Sequence, residues 1–213
     1  MTEAEMTTVT SSLIDECYQL LSKTQSNVVW EILRQSDTFY QWNHYPKGDV
    51  YDRDTHSQYY YHAHPENQHR WEEHGHFHVF MRRKGIPETI QPKPLLPHQQ
   101  NGKIEELCHL CGISMDKFGK PLRLFTTNRW VTGETWYTAT DMCQLIPRFA
   151  ITHAWPSWPT NIWLTQIVRN YQEAIEKLLH RRDKVIDDWQ HQHPNDNVFE
   201  ARELEITSFL LLA

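Results

Sequence analysis

The chain has 213 residues, enough for one domain with a sizeable core, and its 39% apolar content with nine Trp, nine Tyr and eight Phe excludes a disordered polymer. A formal charge of -6 argues against nucleic-acid binding driven by counterion release. The N-terminal run MTEAEMTTVTSSLIDECYQ lacks the basic head and apolar run of a secretory leader, and no apolar stretch approaches the ~20 residues that span a bilayer, so the expectation is a cytoplasmic chain with no membrane partner.

The expected organisation is a single domain over 1–213. Residues 1–35 are expected to be helical: Met6, Val9, Leu13, Cys17, Leu20 and Leu21 recur at helical spacing, and Ser26 caps a second short helix carrying Val28, Val29 and Ile32. Residues 37–56 show no sustained period and read as a loop turned by Pro46, Lys47 and Gly48. His44, Asp49, Asp52 and Asp54 on it are either solvated turn residues or contributors to a metal site.

A His-rich sheet region is expected over 58–126. Gln58 to His64 alternates Gln58, Tyr60, His62 and His64 with Tyr59, Tyr61 and Ala63, the pattern of a strand. His74, His76 and His78 alternate with Gly75, Phe77 and Val79, so a second strand points three imidazoles to one face. An antiparallel register pairing His62 with His76 also pairs Tyr60 with His78 and His64 with His74, gathering five imidazoles. Residues 85–103, rich in proline and glycine, form a loop. Leu107 to Met115 resumes alternation, with His109 and Cys111 on one face and Cys108 and Leu110 on the other, and Leu122 to Thr126 returns as a hairpin. Cys108 and Cys111 form a lone C-x-x-C without a second pair, for which a structural role outweighs redox or zinc work.

The stretch 127–135 reads as a loop, and 138–190 as helical: Asp141 lies in the first turn of a helix ended by Pro147, and Thr160 caps one long helix whose apolar stripe runs from Leu164 to Trp189. A last strand occupies 203–212. The fold class is α+β: an antiparallel sheet of four to six strands, N-terminal helices, and one long helix packed on the sheet.

Five imidazoles on one face are costly unless they meet water, bind metal or hydrogen-bond to one another. The favoured function is divalent-metal binding, with zinc or iron as cofactor and His62, His64, His74, His76 and His78 as candidate ligands. Glu73 and His76 are the catalytic candidates, Glu73 as a general base or as a partner orienting a ligand, and a metal-dependent hydrolase or oxygenase is the enzymatic form of this reading. A non-catalytic domain that binds a small molecule or a protein partner through Trp130, Trp136, Trp155, Trp158 and Trp163 is an alternative from another class.

HGHFHVF resembles the signature of the histidine-triad nucleotide-binding proteins. That resemblance implies a nucleotidyl hydrolase or transferase in which His76 is the nucleophile and Arg82 and Arg83 neutralise phosphate. It covers about a dozen residues, and most of the chain follows His78, whereas in that family the triad lies near the end of the domain. Across most of the chain, the blocks QYYYHAHP, EHGHFHVF, LFTTNRWVTGETW, SWPTNIWL and ELEITS resemble an uncharacterised bacterial domain family, which implies a single-domain bacterial protein of unassigned role.

Overall fold

The computed structural model describes residues 3–65, 71–95 and 106–212, with side chains from Leu13 onward. Six strands form one antiparallel meander in the order β1 to β6: β1 (Tyr45–Tyr51), β2 (Ser57–His62), β3 (Gly75–Arg82), β4 (Leu107–Met115), β5 (Pro121–Thr127) and β6 (Ile206–Leu211). Among the described residues six α-helices accompany it: α1 (Glu3–Ser22), α2 (Trp30–Leu33), α3 (Arg129–Thr132), α4 (Ala139–Cys143), α5 (Trp158–Asn170) and α6 (Gln172–Gln192). The protein is α+β.

One face of the sheet carries the main core. Tyr59, Tyr61, Phe77, Val79, Met81, Cys111, Ile113 and Leu124 pack there with Cys17 and Leu21 of α1, Trp163, Leu164 and Val168 of α5, and Ile175, Leu178 and Leu179 of α6. α1 runs against α5, and α6 crosses β5 and β6. The opposite face carries the histidines. Strands β2, β3 and β4 are almost entirely buried, so this second face is covered too.

Several local expectations change. The predicted loop over 37–56 contains β1, whose alternation is interrupted at Gly48 (φ +88°) and Asp49 (φ +60°), where the β1–β2 register shifts. The predicted long helix is two, broken at Tyr171 (φ −101°, ψ 18°), although α6 does lie on the sheet. It begins at Trp158 rather than at Thr160, whose hydroxyl instead donates to the carbonyl of Val28. Ser26 does not cap α2: its hydroxyl bonds Glu31, and it is Asn27 that accepts from the amides of Val29 and Trp30 in the turn leading into the helix. The 127–135 loop contains α3, ended by Gly133 in the left-handed conformation. The last strand, expected over 203–212, is β6, which pairs with β5 at an open edge of the sheet. Part of the predicted 85–103 loop, from 96 on, and the 66–70 connection lie outside the described residues.

Asp52 closes the β1–β2 turn: one carboxylate oxygen accepts from the amides of Asp54 and Thr55, the other from the amide and hydroxyl of Thr152. Burial raises its pKa, but these four donors outweigh that and hold it at about 2. It is spent on structure, and Asp54 is exposed.

Candidate metal centre

The β2–β3 ladder pairs His62 with His76 and Tyr60 with His78, the register expected from parity. The ladder stops there, so His64 and His74 do not pair. His62, His76 and His78 each offer one ring nitrogen within 4.8 Å of the other two, an arrangement that could hold a metal ion. Their rings are nearly perpendicular, at interplanar angles of 77°, 85° and 86°, with centroids 4.5, 5.2 and 4.9 Å apart for His62–His76, His62–His78 and His76–His78. The Nε2 atoms of His62 and His76 are 2.6 Å apart.

His64 sits at the rim, its Nε2 3.3 Å from that of His62 and its ring stacked on Trp42 at 4.3 Å. His74, expected among the ligands, does not join them. It precedes the first paired residue of β3, turns to the other face, and meets the hydroxyl of Tyr61 through Nδ1 at 2.7 Å. Gly75 allows this exit: a Cβ there would lie 2.6 Å from both the His62 carbonyl and the Tyr61 hydroxyl oxygens.

Two of the three imidazoles have outer partners that fix their orientation. Glu73 Oε1 accepts from His76 Nδ1 at 2.7 Å while Oε2 accepts from the Trp71 indole at 2.9 Å. A carboxylate only accepts, so His76 carries a hydrogen on Nδ1 and turns its Nε2 toward His62. Burial raises the Glu73 pKa, yet the His76 hydrogen bond and charge, with further donors, bring it below the ordinary value. His78 Nδ1 meets His109 Nε2 at 2.9 Å, and His109 Nδ1 meets the Thr127 hydroxyl at 3.2 Å. The His109 amide donates to Glu134 at 2.6 Å. Burial and neighbouring imidazoles push His62 and His78 well below the usual histidine range. Burial with the Arg182 charge takes His109 to about 3. These rings are neutral, the form that ligates metals.

His109 was the residue least accessible to pattern reasoning. β4 has an extra residue: Val79 pairs with Cys111 but Phe80 with His109, leaving Leu110 as a bulge. His109 therefore shares the histidine face with Phe80, and Cys111 goes to the core, contrary to the expected alternation. Gly112 inside a strand run was the one signal for it. Opposite His78, Gly112 has no side chain, and the ring of Phe125 fills that space, packing edge-on against His76 and His78.

A small cavity of about 40 Å³ adjoins the cluster, lined by His62, His64, His76 and His78, by Glu73, Thr127 and Glu205, and by Trp71, Phe125, Val131 and Ile206. Arg82, expected to neutralise phosphate, lies six residues beyond His76, roughly 20 Å along the strand, and is bound to Gln58. Arg83 reaches the carbonyls of Ile86 and Ile90. His44 stacks on Tyr60 and bonds Asp49, beside the cluster. The five tryptophans do not line one groove: Trp163 is in the main core, Trp136 packs on Phe199 and Trp130 bonds Ala201, while Trp155 and Trp158 are exposed. Cys108 and Cys111 are both fully buried free thiols in the core, where burial raises both pKa values, that of Cys111 to about 12. Among the described residues no helix is long and apolar enough to cross a membrane.

One family model, a domain of unknown function (DUF6969), matches residues 9–212 and so covers every block quoted above for the wider resemblance. No curated protein and no solved structure matches the chain.

Proposed function

The chain belongs to the DUF6969 family, and because that family has no assigned activity we propose from the site itself that the domain binds one divalent transition metal, zinc or iron, through His62, His76 and His78. The ring geometry carries the reading. A metal about 2.0–2.1 Å from an imidazole nitrogen lies about 3.2 Å from the ring centroid, so two ligands subtending 90° to 110° have centroids roughly 4.5 to 5.2 Å apart. The three separations, 4.5, 4.9 and 5.2 Å, fall on that range. The His62 and His76 nitrogens, 2.6 Å apart, need to part by about 0.3 Å to share a metal at 90°.

The outer partners support it further. Trp71–Glu73–His76 is the carboxylate–histidine arrangement that fixes the tautomer and raises the basicity of a ligand, and Thr127–His109–His78 holds the second ring. Three protein ligands leave a coordination position open toward the cavity, as in sites that activate a bound molecule rather than serve structure alone. His64, 3.3 Å from His62 at the rim, would serve as a fourth ligand or hydrogen-bond a metal-bound group. Metal-dependent hydrolysis and oxygenation both begin from such a site.

The test is metal analysis of untagged protein, with His76→Ala and His78→Ala as controls. About one metal per chain in the parent and a loss in both variants is expected. Absence of stoichiometric metal, or equal metal in the variants, sinks the proposal.

A further inference from the structure

We infer that this chain pairs with a second copy of itself, edge to edge through β6 and side by side through α6, about a two-fold axis at right angles to the sheet. The inference goes beyond the metal reading and does not rest on it.

The two edges of the sheet are built differently. An open edge presents backbone amides and carbonyls to any other strand, and proteins blunt it with proline, lysine, further charge or a bulge. β1 has all four: Pro46, Lys47 and Asp49, with a register shift between Tyr45 and Val50. β6 has one register shift near its start, and from Ser208 to Leu211 it pairs regularly with β5. No charged residue, proline or glycine occurs from Ile206 to Leu212. Among the described residues no strand pairs with its outer side. Phe209, Leu210 and Leu211 are 51%, 38% and 63% exposed. Phe209 and Leu211 lie on the histidine face and Leu210 on the core face, opposite Phe125, Arg123 and Leu124, so apolar surface wraps the whole edge.

Charge selects a second copy as the occupant. Arg181, Lys184, Val185 and Asp188 form a stripe along one side of α6, bordering an open groove beside Ile206, Thr207, Ser208 and Phe209. A two-fold axis at right angles to the sheet keeps both main cores on one side and sets α6 antiparallel to its copy. With the axis through the middle of the groove, between Lys184 and Val185, the stripe meets itself reversed. Arg181 then faces Asp188 of the partner subunit, and Asp188 faces the partner subunit's Arg181. Within one chain Lys184 and Asp188 are 2.7 Å apart, whereas the exposed Arg181 makes no ion pair among the described residues. The second copy supplies the carboxylate that Arg181 lacks, twice per dimer. The spacing agrees: α6 lies over β5 and β6, and with strands about 4.8 Å apart, helices seated between the last two strands of each copy have axes roughly 10 Å apart, the distance at which helices pack.

Sedimentation of the untagged chain across the micromolar range should show twice the chain mass. Leu211→Glu, which charges the open edge while facing Arg123 of its own chain, should raise the dimer dissociation constant at least about tenfold. Arg181→Asp and Asp188→Arg should each do the same, because either one sets like charges against each other at both symmetric contacts. Mixing these two variants should restore dimers, since every such contact in the mixed pair joins opposite charges. A monomeric parent overturns the inference, as do charge reversals without effect, a mixture that pairs no better than either variant, and undiminished pairing in Leu211→Glu. Should a variant not fold, hydrogen exchange of the parent decides: the β6 amides are expected to exchange more slowly as concentration rises, and exchange there that ignores concentration overturns the inference.

Discussion

His62 and His76 oppose each other directly across β2 and β3, with their Nε2 atoms 2.6 Å apart and the far nitrogen of His76 held by Glu73. His76 donates its Nδ1 hydrogen to that carboxylate and keeps it, which leaves its Nε2 facing the ring of His62. A metal held by both rings would lie where these two nitrogens now face each other.

The histidines are therefore not equivalent. His62→Ala and His78→Ala are each expected to lower metal affinity by more than about 100-fold, a larger effect than loss of an outer partner. His74→Ala should leave affinity unchanged and cost about 1 kcal/mol of stability through the lost Tyr61 hydrogen bond. Competition against a chelator of known affinity, paired with denaturant unfolding, measures both.

Glu73→Gln keeps an acceptor near His76 and removes the charge. An affinity loss of about 10- to 100-fold is expected, with metal still binding at saturation. If calorimetric titration gives the parent affinity, the carboxylate does not tune the ligand.

Acid should destabilise the metal-free protein. His62, His78 and His109 have depressed native pKa values, so below the unfolded value of about 6.5 the unfolded chain binds more protons and stability falls as pH falls. Glu134 acts oppositely. Burial raises its pKa to about 7, so its contribution is present below about 4.5 and is lost as pH rises through 7. Glu134→Gln removes the opposing term. Its stability should climb more steeply than the parent's between pH 4.5 and 6.5, by up to about 1.4 kcal/mol per pH unit. Urea unfolding across that window reads the slope.

Gly112→Ala should cost about 1–3 kcal/mol, because its Cβ would enter the ring of Phe125 in a packed region. Pairing it with Phe125→Leu should recover part of the loss, which a thermal melt of the single and double variants resolves.

The sheet and its central pairing were legible in the chain because strand parity is a local property: His62, His76 and His78 share a face whatever surrounds them. The fate of His74 was not, since it depends on where pairing stops, and the hydroxyl that captures it comes from Tyr61 on the neighbouring strand. β1 was hidden because Gly48 and Asp49 interrupt its alternation. Tyr171 carries no helix-breaking signature, so the division of the long helical stripe into α5 and α6 was invisible. The cavity wall draws on β5, α3 and β6, with Phe125 and Ile206 far apart in the chain and brought together only by the fold.

The bulge at Leu110 accounts for a feature that has nothing to do with metal. In an unbroken strand, residues three apart point to opposite sides, so a cysteine pair at that spacing would be divided between the two faces. The inserted residue reverses the parity between Cys108 and Cys111 and sends both thiols inward. Take away that one residue and the same two inward positions would read C-x-C. What looks on paper like a redox signature is the footprint left in the sequence by a kink in the backbone, and comparisons that score cysteine spacing will confuse the two.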